Sequence, residues 1–315
     1  MSHFRSNVIV LLFITFFLPI PSQLRASIVK KIYFTDLRTK KIYMSDMDGG
    51  GIEELLTLPG GDDANPGYIA INPFDGKMYW TDNSTDKIQR ANLDGSGFEN
   101  LITTDFGSVE GIALDLSANK MYWADYGNSK IERANLDGSF RETILSPSLC
   151  DGPVGIALDI SSGKMYWTEE AGDKIRRANL DGTKIEDLVS TGLRRTHGIC
   201  LDLTGGQMYW TDYGTLKIQR ANLDGSNVTD LVNLTGQGWV GLSDIAIDVD
   251  LGKMYWTDFE RGIIQRANLD GSQVESIVTG LVAPYGITFG PVPEPSTLLL
   301  LGLGGLLLYK KRKNR

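Results

Sequence analysis

The sequence predicts an all-β chain folded as a six-bladed β-propeller of four-stranded antiparallel blades. Two observations carry that prediction. One aromatic phrase recurs six times, as Tyr33-Phe34-Thr35-Asp36, Tyr79-Trp80-Thr81-Asp82, Tyr122-Trp123-Ala124-Asp125, Tyr166-Trp167-Thr168-Glu169, Tyr209-Trp210-Thr211-Asp212 and Tyr255-Trp256-Thr257-Asp258. The steps between its tyrosines are 46, 43, 44, 43 and 46 residues, a period that indicates a radial or stacked architecture when built from short strands. In addition, no segment inside the repeats sustains the i, i+3, i+4, i+7 apolar spacing of a helix face.

One repeat, residues 108–144, shows the elements in order. Gly111–Asp115 reads as a compact apolar strand, Lys120–Asp125 as an aromatic one, Lys130–Asn135 as a mixed one and Phe140–Ile144 as a weaker fourth. Between the last two, Leu136-Asp137-Gly138-Ser139 predicts a type I′ hairpin, whose two central residues take φ > 0. Strands with two apolar faces need a neighbour on each side, which radially arranged sheets supply while leaving only short edges. The first phrase lacks its preceding compact strand. A spare one, Pro284–Phe289, follows the sixth blade and matches Pro153–Leu158. Paired with Lys31–Asp36, Lys41–Asp46 and Glu53–Leu56, it closes the ring and removes the open edge.

The phrase is followed about ten residues on by arginine-Ala-Asn-Leu-Asp-Gly, at Arg90–Gly95, Arg133–Gly138, Arg177–Gly182, Arg220–Gly225 and Arg266–Gly271. Residues 30–290 thereby resemble the YWTD, or class B, repeat of the low-density lipoprotein receptor family. The resemblance implies a six-bladed propeller used for protein binding and for packing against neighbouring modules, without catalysis. The cysteine-rich modules of those receptors have no counterpart in this sequence, so receptor function is not implied.

The domain order is a signal peptide over residues 1–26, the propeller over 27–290 and a tail over 291–315. Arg5, the apolar stretch Val8–Ile20 and the small Ala26 give the three parts of a secretory signal cut after Ala26; an uncleaved anchor is the alternative, for which the apolar stretch is short. The tail reads Pro293-Glu294-Pro295, then apolar Leu298–Tyr309, then Lys310-Lys311-Arg312-Lys313. It resembles the bacterial PEP-CTERM sorting signal. That resemblance implies the secretion machinery and an exosortase as partners, and removal of the tail near Pro293-Glu294-Pro295. It also implies a final place at the cell surface or outside the cell, often with polysaccharide. The basic cluster would stay on the cytoplasmic side. The span is short for a permanent helix and suits transient inner-membrane contact, with a retained tail anchor as the alternative.

The whole chain carries a formal charge of −8, and trimming both basic ends leaves 24 Lys and Arg against 38 Asp and Glu, near −14. That balance excludes nucleic acid, which needs a basic footprint. Cys200 stands in the slot held by Ala113 and Ala157, and Cys150 lies in a loop one repeat earlier, which favours two unpaired thiols. No metal-type Cys/His spacing occurs, and neither a metal nor another cofactor is expected.

Residues that recur in every blade read as scaffold, through cross-strand polar pairs and packing. Candidate ligand-binding residues are therefore the departures, gathered on the face that holds the loops into each first strand and after each second strand, here called the top. Trp239 is the one tryptophan outside the phrase, in the Gly-rich loop Leu234–Gly241, and reads either as a binding anchor or as a plug over the channel mouth. A second long loop runs from Pro59 to Pro66. The residue before each compact strand varies as Gly67, Glu110, Val154, His197, Ser243 and Tyr285, and should ring the mouth. Glu110, His197 and Tyr285 form a constellation there, to which Asp244 adds a carboxylate in a slot usually held by Gly; ordinary solvated rim is the alternative. Tyr126, Tyr213 and Phe259 follow the phrase and form an aromatic arc near Glu170 and Glu260, suited to sugars or protein side chains.

Two functions follow. One is a non-catalytic surface or matrix propeller that binds protein or exopolysaccharide through its top loops. The other is a propeller hydrolase or lyase, lactonase-like, with an axial metal, since fold alone does not decide function. No nucleophile-and-base pair is readable, and no catalytic residue is assigned. Deleting Ala283–Phe289 is expected to destabilise the ring far more than its length suggests, read as a collapse of the urea midpoint.

Overall fold

The computed structural model describes residues 29–59 and 63–293. The export segment with Ala26, the loop tip 60–62, and Glu294, Pro295 and the rest of the tail lie outside these residues. Within them are six four-stranded sheets, and no helix long and apolar enough to cross a membrane. The third blade is typical: β8 (Val109–Asp115), β9 (Lys120–Asp125), β10 (Lys130–Asn135) and β11 (Glu142–Leu145) form an antiparallel meander. Ring closure follows the sequence expectation. The last strand, β24 (Pro284–Pro291), pairs with β1 (Lys30–Asp36) to complete the first blade.

The turn after the third strand differs from the type I′ expectation. Gly138 N–H donates to the Asn135 carbonyl and Asn135 N–H to the Ser139 carbonyl, and Gly138 has φ of +84° while Asp137 is not in the left-handed region. The reason is local: the Asp137 carboxylate accepts both the N–H and the hydroxyl of Ser139, an Asx-type arrangement that holds Asp137 in an ordinary conformation. Phe140 consequently sits in the turn at φ +53° rather than in the fourth strand, which begins at Glu142.

Each phrase residue has a distinct task. The tyrosine of one blade packs with the tryptophan of the next, as Tyr122 does with Trp167, around Ile131, Leu145, Ile156 and Met165. All five phrase tryptophans are fully buried, and truncating such a residue to alanine costs ~3–5 kcal/mol. Three of them, Trp80, Trp210 and Trp256, donate their indole N–H to Gln89, Gln219 and Gln265 on the third strand. The acidic residue ties down loops: Asp36 accepts from the N–H of Val282 and Ala283, and Asp258 from Gly241 and Arg261. Each arginine of the second motif reaches across a blade boundary, as Arg90 does to the Leu136 carbonyl and Arg266 to that of Met47.

The threonine makes the contact that governs the centre of the ring. Thr257 accepts the Asp244 N–H at 3.1 Å in its own blade and donates to the Tyr285 carbonyl of the next at 2.5 Å. Thr168 does the same with Gly155 and His197, Thr211 with Gly198 and Ser243, and Thr35 with Gly286 and Gly67. Thr257→Val keeps the shape and strips the hydroxyl. It is expected to cost about 1–3 kcal/mol for each buried group left unpaired, with Thr257→Ser recovering most of the loss in chemical denaturation.

Candidate functional site at the channel mouth

The innermost strand of every blade slips register at one place. In β16 (Thr196–Asp202), Thr196 pairs with Asp212 and Ile199 with Trp210, so His197 and Gly198 share a single opposite residue, Thr211. The same slip falls at Gly67, Glu110, Val154, Ser243 and Tyr285. A β-bulge bends the strand and re-aims a side chain, and six of them set one residue per blade at the channel rim. The inner strands then approach so closely that a Cβ at Gly155 would lie 2.4 Å from the His197 carbonyl oxygen, and one at Gly286 2.5 Å from that of Gly67. In this second bulge position only Tyr68 and Asp244 carry side chains.

Four ring contacts follow one another around the mouth. His197 stacks on Tyr213 with centroids 5.6 Å apart, Tyr213 on Phe259 at 5.9 Å, Phe259 meets Tyr285 at 6.2 Å, and Tyr285 meets Tyr68 edge-on at 5.5 Å. This arc covers the fifth, sixth, first and second blades. The third and fourth blades complete the circle with Glu110 and Glu170. Glu110 Oε2 accepts from Asn83 Nδ2 at 2.8 Å and from the Tyr285 hydroxyl at 3.3 Å, and Oε1 from Ser108 at 3.4 Å. Glu170 lies 3.6 Å from His197 Nε2, beyond hydrogen-bond length, and 2.6 Å from Arg195 Nε. The Arg195 guanidinium also covers the Tyr213 ring at 4.8 Å.

The carboxyl groups are tuned apart. Burial pushes Glu110 up to about 8, against the pull of its hydrogen bonds from Asn83, Tyr285 and Ser108. Burial likewise pushes Asp244 up to about 7, although its two oxygens accept the N–H groups of Ile245 and Ile287. Glu170 goes the other way, to about 2, held by His197 and Arg195. Several polar atoms are left without a hydrogen bond of good geometry: both ring nitrogens of His197, the Tyr68 hydroxyl, the Ser243 hydroxyl and Asn83 Oδ1. Inside the ring below them lies a cavity of about 270 Å³, lined by seven isoleucines, at least one from each blade, with Tyr68, Asp244 and Cys200. Among the described residues no three His, Cys, Asp or Glu side chains converge, so no protein-held axial metal set is gathered there.

The structure brings together Glu110, His197, Asp244, Tyr285, Tyr213 and Phe259. Tyr126 stands apart from the arc, beside Gly152. Trp239 is 85% exposed, so it does not plug the mouth; its loop is tied to the sixth blade through Gln237 and Arg261. Glu260 is exposed. Cys150 and Cys200 are both free thiols, the first donating to the Ser129 carbonyl. Sequence reasoning missed Tyr68, Asn83 and Arg195. Tyr68 replaces the same bulge glycine as Asp244, and Asn83 follows its phrase as Tyr213 and Phe259 follow theirs, so two of the three carried a signal. Because folded Glu110 keeps its proton to about pH 8 while an ordinary glutamate loses it near 4.5, the folded state binds more protons between those values, and stability falls as pH rises through that window. Glu110→Gln is expected to flatten the decline, leaving the part due to Asp244, in melting temperatures taken from pH 5 to 8.

Comparison with known proteins sets the chain among propellers. The Virginiamycin B lyase family model matches residues 19–234, the low-density lipoprotein receptor class B repeat model residues 252–288, and the PEP-CTERM protein-sorting motif residues 291–313. The sorting motif marks the chain for export and implies processing by an exosortase. No curated protein matches. A chain in the crystal structure of a nidogen/laminin complex is 26% identical, with 82% of this chain and 98% of that one covered and a TM-score of 0.73. Two structures of virginiamycin B lyase from Staphylococcus aureus share the fold. A catalytically inactive variant with quinupristin is 18% identical, covering 84% and 92% of the two chains. A selenomethionine-substituted form is 19% identical, covering 83% and 88%; both have a TM-score of 0.60. The six-bladed ring is thus built from class B repeats, and the chain belongs to the Virginiamycin B lyase family.

Proposed function

We propose that this protein is an exported, non-catalytic propeller that binds a protein or exopolysaccharide of the cell surface or matrix through the mouth of its channel. The observation that carries the reading is the aromatic arc from His197 to Tyr68, closed by Glu110 and Glu170, with the Tyr68 hydroxyl and His197 Nδ1 along it left without a hydrogen bond in the protein. Aromatic rings offer large apolar area at small entropic cost, and a buried polar atom without a partner gains from any ligand that supplies one. The nidogen propeller, named for its complex with laminin, supports a binding role. In this reading the tail holds the protein transiently at the inner membrane, and an exosortase removes it near Pro293-Glu294-Pro295.

A second reading has its own support. Glu110, which burial keeps protonated at neutral pH, and Glu170, held as a carboxylate beside His197, are carboxyl groups set apart in proton affinity, a pattern of acid–base sites, and the family is named for a lyase. One experiment separates the two. Bait protein is incubated with cell-surface and matrix extracts as wild type, His197→Ala, Tyr213→Ala and Trp239→Ala. Binding is expected to fall at least tenfold for the first two variants and less for the third. Turnover of a depsipeptide such as quinupristin, or of a lactone, that is lost in His197→Ala would replace the binding reading with the enzymatic one.

A further inference from the structure

Resting on the binding reading of the same site, we infer that the channel mouth takes the neutral terminal sugar of a glycan. The argument starts from charge. Although the chain is acidic, the three carboxyl groups within the mouth are each compensated, and Glu260 stands exposed outside them. Glu170 is paired with Arg195, both oxygens of Asp244 accept backbone N–H groups, and Glu110 accepts from Asn83, Tyr285 and Ser108. A charged ligand would lose its hydration shell at such a mouth and find no counter-charge in return.

The unsatisfied groups then define what the ligand carries. His197 is 8% exposed and Tyr68 4%; the Tyr68 hydroxyl and His197 Nδ1 have no hydrogen bond within the protein, and His197 Nε2 faces only Glu170, at 3.6 Å. Hydroxyl groups donate and accept at once. The complementary partner is a molecule with several hydroxyls on a compact frame. The remaining surface is ring edges and faces from Tyr213, Phe259 and Tyr285, which suit the C–H faces of a pyranose. Beneath the mouth seven isoleucines line the cavity with Asp244 and Thr288 among them, so the rings that would seat the sugar lie at the rim above it.

The test uses the full chain on an array of neutral, uronate-bearing and amino-sugar-bearing glycans. Signal is expected on neutral hexose-terminated glycans, competed by the free neutral monosaccharide. Tyr68→Phe is expected to lower it at least fivefold, with melting temperature unchanged or raised because an unpaired buried hydroxyl is gone. That opposite movement of binding and stability is not produced by a purely structural role. Preference for charged glycans, or loss of extract binding in His197→Ala that no neutral sugar competes, overturns the sugar assignment while leaving the mouth as the site. If His197→Ala and Tyr213→Ala bind extracts as wild type does, the underlying binding reading falls with it.

Discussion

The rest of the structure depends on a hydroxyl. Six inner strands converge on one axis, and each is bulged where it meets the rim, which frees a backbone N–H and a carbonyl from the sheet ladder. The phrase threonine answers both, accepting from its own blade and donating to the next in four of the blades. An unpaired buried amide group is expensive, so this relay fixes the relative position of neighbouring blades at the point where their rim side chains emerge. His197, Ser243 and Tyr285 are held through their own carbonyls. The motif that names the repeat is therefore scaffold in its chemistry and positioning in its effect.

The third blade shows what happens when the relay is broken. Ala124 stands where the other blades have threonine. Its bulge carries Glu110, whose side chain is linked to Asn83 of the second blade, Tyr285 of the first and Ser108 of its own. The side-chain network at the site thus lies where the backbone relay is absent. Buried networks of this kind are stiff only when fully satisfied, and this one includes a protonated carboxyl group with Asn83 Oδ1 unpaired beside it.

Much of this is legible in the sequence, for a physical reason. Propeller blades are copies, so repetition reports packing, and every departure from it reports something else. The blade count, the closing strand and the rim positions all follow from that contrast. The turn did not: Asp-Gly signals I′ only when no side chain competes, and the serine two residues on supplies the competitor. Nor did the pairing of His197 with Glu170, because the two lie on different blades and their meeting depends on the tilt of both. Arg195 carries no repeat signature at all, and only its three-dimensional place over Tyr213 reveals it.

The same contrast separates the two faces of the ring. The turns opposite the mouth repeat an aspartate, at Asp94, Asp137, Asp181, Asp224 and Asp270, each held below the usual carboxylate range by the serine or threonine two residues on. That face carries ionised aspartates interspersed with Lys77, Lys164 and Lys253, whereas the carboxyl groups within the mouth are paired, protonated or bonded to backbone. The described chain also begins and ends on the charged face, where Lys30 pairs with Pro291. A tether leaving from Pro293 starts from the face opposite the mouth. In the proposed binding role, transient attachment through the tail and ligand capture at the mouth would use opposite ends of the ring, so neither would have to be released for the other to occur.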